Sequence, residues 1–208
     1  MLDEKAPIHN QPKHVAHACD ITGVVLAGGL GRRMGGINKG LQMLRGQPMV
    51  HWVCQRLQPQ VGKLLINANQ DLTQYQALGY PVIGDQFVGY AGPLAGLHAA
   101  LSVADTPWVV TAPCDTPFLP ENLVRRLWHS AQVAEADLAV ARTGDQVHPV
   151  FCLCRTRLVQ HLNDYLTAGE RRFAGWYATL RAVEANFDDQ AAAFANINTR
   201  EELLRHEP

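Results

Sequence analysis

Apolar positions recur along the chain in two rhythms. Short runs rich in β-branched residues, "ITGVVLA" (21–27), "KLLINAN" (63–69), "YPVIGD" (80–85) and "WVVTAPCD" (108–115), read as strands. Continuous apolar runs of that length suit a sheet covered on both faces. Between them lie segments with helical spacing. "PMVHWVCQRLQ" (48–58) has Pro48 suited to a first turn, and "DLTQYQALG" (71–79) is a short helix stopped by Gly79. "GPLAGLHAALSVA" (92–104) opens at Pro93, and "PENLVRRLWHSAQ" (120–132) is a further helix. This βαβα succession predicts an α/β fold of Rossmann-like, three-layer type, with a mostly parallel twisted sheet.

After about residue 137 the rhythm changes. "DLAVAR" and "HPVFCLC" are strands separated by the turn-like "TGDQV", which predicts a small antiparallel or mixed region. Helices near 155–167 and 170–180, a short strand "AFANI" (193–197) and a last helix complete the pattern. "TREE" (199–202) has capping-box spacing, with Thr199 as N-cap and Glu202 reaching back. The reading is one domain over 21–208. Residues 1–20, polar and rich in His and Pro, form a mobile extension without the apolar core of a secretory signal. Strict alternation in "HPVFCLC" puts His148, Val150, Cys152 and Cys154 on one strand face. CxC lacks zinc-knuckle spacing, so buried thiols are expected there rather than a metal site.

Composition narrows the partners. Of 208 residues 47% are hydrophobic and 18% charged, with a formal net charge of −1, so no global basic field favours nucleic acid or an acidic membrane. No apolar run approaches the roughly 20 residues that span a bilayer. Five cysteines without a disulfide-like framework point to a reducing cytoplasm.

The stretch "GVVLAGGLGRRMGGINKG" (23–40) carries the clearest chemistry. It lacks the second glycine and the hydroxyl of a Walker A loop, and Met34 breaks the dinucleotide fingerprint G-x-G-x-x-G. Its glycines nevertheless follow the first strand, where backbone N–H groups can bind phosphate oxygens. Arg33 and Lys39 can neutralise a triphosphate, the one as a fork and the other as a point charge. Asp115 follows another apolar strand. Such an aspartate either holds Mg²⁺, a hard ion that prefers oxygen ligands, or caps a turn. Asn67 and Asp85 each end a strand and offer hydrogen bonds to a base or ribose, or merely shape turns. "GPLAG" is either a ligand-facing helix start or a site of close packing, and Arg171 and Arg172 in "AGERR" read by default as a solvated face.

"LAGGLGRRMGGINKG", "INAN", "GPLAG", "PCDTP", "HPV", "AGERR" and "NINTREEL", in that order over roughly 21–205, resemble the nucleotidyltransferases of the molybdenum cofactor guanylyltransferase family. The resemblance implies a fold of the nucleotide-diphospho-sugar-transferase type, with GTP as donor and Mo-molybdopterin as acceptor. It implies backbone contacts to the nucleotide from Leu26, Ala27, Gly28 and Gly29, further nucleotide contacts from Asn67 and Asp85, catalytic roles for Arg33, Lys39 and Asp115, and Mg²⁺ on Asp115. It places His148, Arg171, Arg172, Asn196 and Asn198 toward the pterin. Transient contacts with cofactor-synthesis proteins and molybdoenzyme chaperones are expected with it. The family often has Asp where this chain has Asn38. The rival is a cytidylyltransferase of the same fold, acting on molybdopterin or on a sugar or polyol phosphate. Gly29, leaving room for a purine, argues for the guanine donor. A GTP-binding module without catalysis would need N-K-x-D, and "NKGL" (38–41) has Leu in place of the aspartate.

Overall fold

Strand β1 (Ile21–Leu26) is buried at all six positions, as its unbroken apolar run requires, and it lies in the interior of the sheet. In the computed structural model, which describes residues 18–28, 38–87 and 92–205, the sheet has seven strands. On one side β1 pairs in parallel with β4 (Lys63–Asn67), and β4 with β5 (Val82–Ile83). On the other it pairs in parallel with β6 (Trp108–Pro113). Strand β8 (Gln146–Arg155) runs antiparallel to β6 and to β7 (Leu138–Thr143), and β9 (Ala182–Asn186) pairs in parallel with β7. Six strands therefore point one way and β8 the other, matching the expected mostly parallel sheet with an antiparallel region. A separate hairpin joins β2 (Met43–Leu44) to β3 (Gln47–Pro48).

Helices cover both faces. On one, α1 (Met49–Leu57) and α4 (Leu123–Val133) bury Val50, Val53, Leu57, Leu123 and Leu127 against Val25 and Val110. Tyr75, from α2 (Leu72–Gln76), joins that core. On the other face, α3 (Pro93–Val103), α5 (Val159–Thr167) and α6 (Phe173–Tyr177) pack Leu97, Leu162 and Trp176 onto Val24 and Val109. Buried area of this kind, at roughly 25 cal/mol per Å² of apolar surface, is what holds three such layers together. The capping box of α7 (Arg200–Leu204) is formed as its spacing predicts.

Two sequence expectations are corrected. The strand placed at "AFANI" is β9, some ten residues earlier. Residues 188–194 wind as a 3₁₀ segment, and only Ala185 of β9 is buried, so an exposed edge strand left little apolar signal. The single face of "HPVFCLC" is also broken. Val140 pairs with Cys152, but Ala141 pairs with His148, so β8 bulges across Pro149–Phe151. Proline has no N–H for the ladder and sits at such bulges. Val150, Cys152 and Cys154 pack into one core, whereas His148 turns to the other and stacks on Phe194 at 4.8 Å. The two thiols are fully buried and free.

The extension assigned to residues 1–20 lies outside the described residues except for Ala18–Asp20, a 3₁₀ turn leading into β1. Gly29 and Arg33 lie outside them as well.

Candidate active site

The chain leaves β1 toward β4 and later returns on the opposite side of β1 as β6. The carboxyl ends of β1 and β6 therefore flank a topological switch point, where open α/β sheets bind ligands. Register fixes the details. Leu26 lies between Asn67 of β4 and Pro113 of β6. Beyond the strand, the Ala27 N–H donates to the Asn67 carbonyl at 2.8 Å, and the Cys114 N–H to the Leu26 carbonyl at 3.1 Å. These bonds deliver Gly28, Asn67 and Asp115 to one rim. Asn67 and Pro113, level with one another on either side of Leu26, are two strand spacings or about 10 Å apart, and Asp115 follows two residues beyond Pro113.

A cavity of about 640 Å³ opens there, within the ordinary range for small-molecule sites. Its lining includes Leu26, Ala27, Gly28, Lys39, Asn67, Asp85, Asp115, His148 and Asn196, so most of the residues singled out by sequence meet in one place. The start of α3, at Gly92 and Pro93, faces it too.

At the β6 end, Lys39 Nζ donates to Asp115 Oδ2 at 3.4 Å and to Asn198 Oδ1 at 2.6 Å. The Ile197 N–H donates to the Asp115 carbonyl at 2.9 Å, which ties the 196–198 segment to the site. Asn198, expected toward the acceptor, thus contacts Lys39. Burial pushes the Asp115 carboxyl above its ordinary range, although the Lys39 ammonium pulls it back. Among the described residues its Oδ1 is buried without a hydrogen-bond partner. A buried carboxylate oxygen left over beside one ammonium is suited to a hard cation that takes its remaining ligands from phosphate and water. Among the described residues no three His, Cys, Asp or Glu side chains converge on a metal position, so such an ion would lean on the substrate for its shell.

Lys39 is held from behind. Asn38 Oδ1 accepts from the hydroxyl of the fully buried Tyr75 at 2.6 Å, and its Nδ2 donates to Asp71 Oδ2 at 3.2 Å. Burial raises the Tyr75 hydroxyl far above its usual range, so it stays a proton donor. A Cβ on Gly40 would stand 2.7 Å from that hydroxyl. The amide of Asn38 therefore suits a place with a hydroxyl on one side and a carboxylate on the other, and Asp71 supplies the negative charge that residue 38 lacks.

At the β4 end, Asn67 Nδ2 donates to Asp85 Oδ1 at 2.9 Å. Glycines make room for this group. A Cβ on Gly96 would lie 2.4 Å from Asn67 Oδ1, and one on Gly28 3.2 Å from the same atom. "GPLAG" is thus a place of close packing behind Asn67, and its first residues also line the cavity. On the β8 wall, Thr111 Oγ1 donates to the Val150 carbonyl at 2.6 Å, where the β6–β8 ladder has ended. His148 Nε2 lies 2.7 Å from Thr143 Oγ1, and burial lowers its affinity for a second proton. Arg171 and Arg172 are not brought to the cavity. Arg171 donates to the Leu166 carbonyl at the end of α5, and Arg172 stands at the N-cap of α6.

Comparison with known proteins identifies the family. The family described as "MobA-like NTP transferase domain" matches residues 23–183. A molybdenum cofactor guanylyltransferase of Cupriavidus necator is 52% identical over 193 residues, covering 90% of this chain and 96% of that protein. One of Ralstonia nicotianae is 49% identical, covering 88% and 94%. The crystal structure of molybdopterin-guanine dinucleotide biosynthesis protein A from Archaeoglobus fulgidus superposes with a TM-score of 0.72 at 27% identity, over 89% of this chain and 96% of that one. A 4-diphosphocytidyl-2C-methyl-D-erythritol synthase from Anaerococcus prevotii, at 10% identity and a TM-score of 0.70, shares the fold alone. On sequence and on structure, the chain belongs to the MobA-like family of nucleotidyltransferases.

Proposed function

We propose that the protein transfers GMP from GTP to the terminal phosphate of Mo-molybdopterin, giving the guanine dinucleotide form of the cofactor and pyrophosphate. The observation that carries this reading is one cavity with a Lys39–Asp115 pair at one side of β1 and an Asn67–Asp85 pair at the other, in a chain so similar to guanylyltransferases. A nucleotide laid across Leu26–Gly28 reaches both. Asp85 is suited to accept the two N–H donors of a guanine edge, and the backbone after β1 to pass close beneath ribose and phosphates. Lys39 neutralises charge on the triphosphate and the leaving pyrophosphate. Arg33 is assigned the same task.

An oxygen of the acceptor phosphate forms the new bond to the α-phosphorus as the bond to pyrophosphate breaks, so the chain need supply no covalent nucleophile. Its work is alignment and charge stabilisation. Asp115 would hold Mg²⁺, with Asn198 steering Lys39 alongside. When bound, the ion supplies charge neutralisation at phosphate oxygens. His148 and Asn196, on the far wall, are assigned to the acceptor, and so, by resemblance only, are Arg171 and Arg172. The free cysteines support a cytoplasmic setting, and docking to cofactor-synthesis proteins or molybdoenzyme chaperones fits a product handed on directly.

The test is incubation with GTP, Mg²⁺ and molybdopterin-loaded partner, with the guanine dinucleotide as product. Turnover with CTP and none with GTP would replace this reading by the cytidylyl one. Thermal shifts with each nucleotide separate the two cheaply.

A further inference from the structure

Asp85 does not stand on its own. Asn69 Nδ2 donates to its Oδ2 at 2.8 Å, and Asn69 Oδ1 accepts from the Asp85 main-chain N–H at the same distance. Asn67 takes the other oxygen at 2.9 Å. Each carboxylate oxygen thus accepts one carboxamide, and the two amides fix the plane of the group. Among the described residues Asn69 alone grips both the side chain and the backbone of Asp85. Yet it does not line the cavity. Gly28 leaves room for it, because a Cβ there would stand 2.9 Å from its Nδ2.

We infer that Asn69 is a positioning residue for base selection, holding the Asp85 carboxylate in the orientation that meets two N–H donors on a purine edge. This rests on the guanylyl reading above. A carboxylate oxygen has more than one lone pair, so the two amide bonds leave acceptor capacity toward the cavity. They also remove the rotation that would let Asp85 accept one donor as readily as two. Selectivity between nucleotides then depends on a side chain that touches none of them. The spacing follows from local structure. Asn67 ends β4 and Asn69 lies two residues on, so both amides turn toward the segment after β5, where the chain reaches Asp85.

The experiment compares wild type and Asn69→Ala with GTP and with inosine triphosphate, which lacks the 2-amino donor. Direct nucleotide binding is measured by calorimetry and turnover by product formation. The expected result is a 10- to 100-fold weaker GTP affinity and KM effect (about 1.4–2.8 kcal/mol), kcat within about threefold, and a GTP-to-inosine-triphosphate preference that collapses toward unity. An equal loss for both nucleotides, a fall in kcat alone, or unchanged selectivity would overturn the inference. Should the alanine variant fail to fold, Asn69→Asp carries the same test. It keeps the acceptor for the Asp85 N–H but sets a carboxylate against Asp85 Oδ2, so the same collapse is expected. Wild type that binds no GTP would instead remove the guanylyl reading, an outcome separate from a variant that fails to differ.

Discussion

Replacing Asn38 by aspartate is the sharpest check on how Lys39 is held. The amide donates to Asp71 at 3.2 Å, so a carboxylate there sets two negative charges at hydrogen-bond distance. At that separation Coulomb's law gives about 1.3 kcal/mol in water and roughly 5 kcal/mol at an effective dielectric of 20. Asp71 is exposed and Asn38 half-buried, which favours the lower figure. The Tyr75 hydroxyl continues to donate to the other oxygen, and more strongly to a charged one. The net cost is therefore about 1–2 kcal/mol. Asp71→Asn in the same chain inverts the pair and restores the contact, so a double-mutant cycle in urea yields a coupling of the same size. The coupling shrinks in 1 M salt, where the screening length is only about 3 Å. A single Asn38→Asp variant as stable as wild type, or a cycle that closes within about 0.3 kcal/mol, would refute the argument. So would a coupling indifferent to salt.

Asp115→Asn should leave the protein without nucleotide at least as stable at neutral pH, while turnover falls by about 10²- to 10³-fold. A variant that melts earlier, or keeps its activity, contradicts the role of Asp115. The sign follows from the raised carboxyl. Its contribution to stability is present below the unfolded value and is lost as pH rises through the folded one, whereas binding of a metal–triphosphate complex needs the ionised form. The acid limb of the nucleotide-affinity profile therefore lies above the ordinary carboxylate range, and Asp115→Asn abolishes that limb. A limb at an ordinary aspartate value would count against it. Gly96→Ala forces a Cβ into the space of the buried Asn67 side chain, which cannot yield without losing Asp85. The expected cost is about 1–3 kcal/mol in denaturation, with weakened GTP binding. A stable variant with normal affinity would show that the side chain has room to move.

Much of this site was legible because strand ends are written in the sequence. Leu26–Gly28, Asn67, Asp85 and Asp115 all follow apolar runs, and a mostly parallel sheet sends those ends to one rim. What was not legible depends on pairing. The bulge at Pro149 is a matter of register between β7 and β8, so alternation alone misplaced His148. Asn69 stood in the quoted "INAN", but its partner lies 16 residues away and the pair becomes visible only when β5 lies beside β4. Asn38 looked like a missing charge until α2 brought Asp71 and Tyr75 to it. Residue type alone read Arg171 as a solvated cation and only the resemblance turned it toward the pterin; that its guanidinium donates to the Leu166 carbonyl at the end of α5 is visible only in the fold.

The divergence of β8 from β6 has a consequence for how such an enzyme can change. Residues 153–155 are laddered to β6 on one side, while β7 flanks β8 on the other; residues 146–148 pair with β7 only, and the stretch between is tethered to β6 by one hydroxyl, that of Thr111. Beyond residues 153–155 the β7–β8 hairpin leaves β6 and projects over the cavity, with β7 carrying the far half of β8. Its tip, residues 144–147, is exposed or half-buried and lies outside the β6 ladder, so it can be resurfaced without disturbing the β4–β1–β6 frame. Under the proposed function, a lineage can therefore alter the acceptor side of the cavity while leaving Asn67 and Asp85 in place.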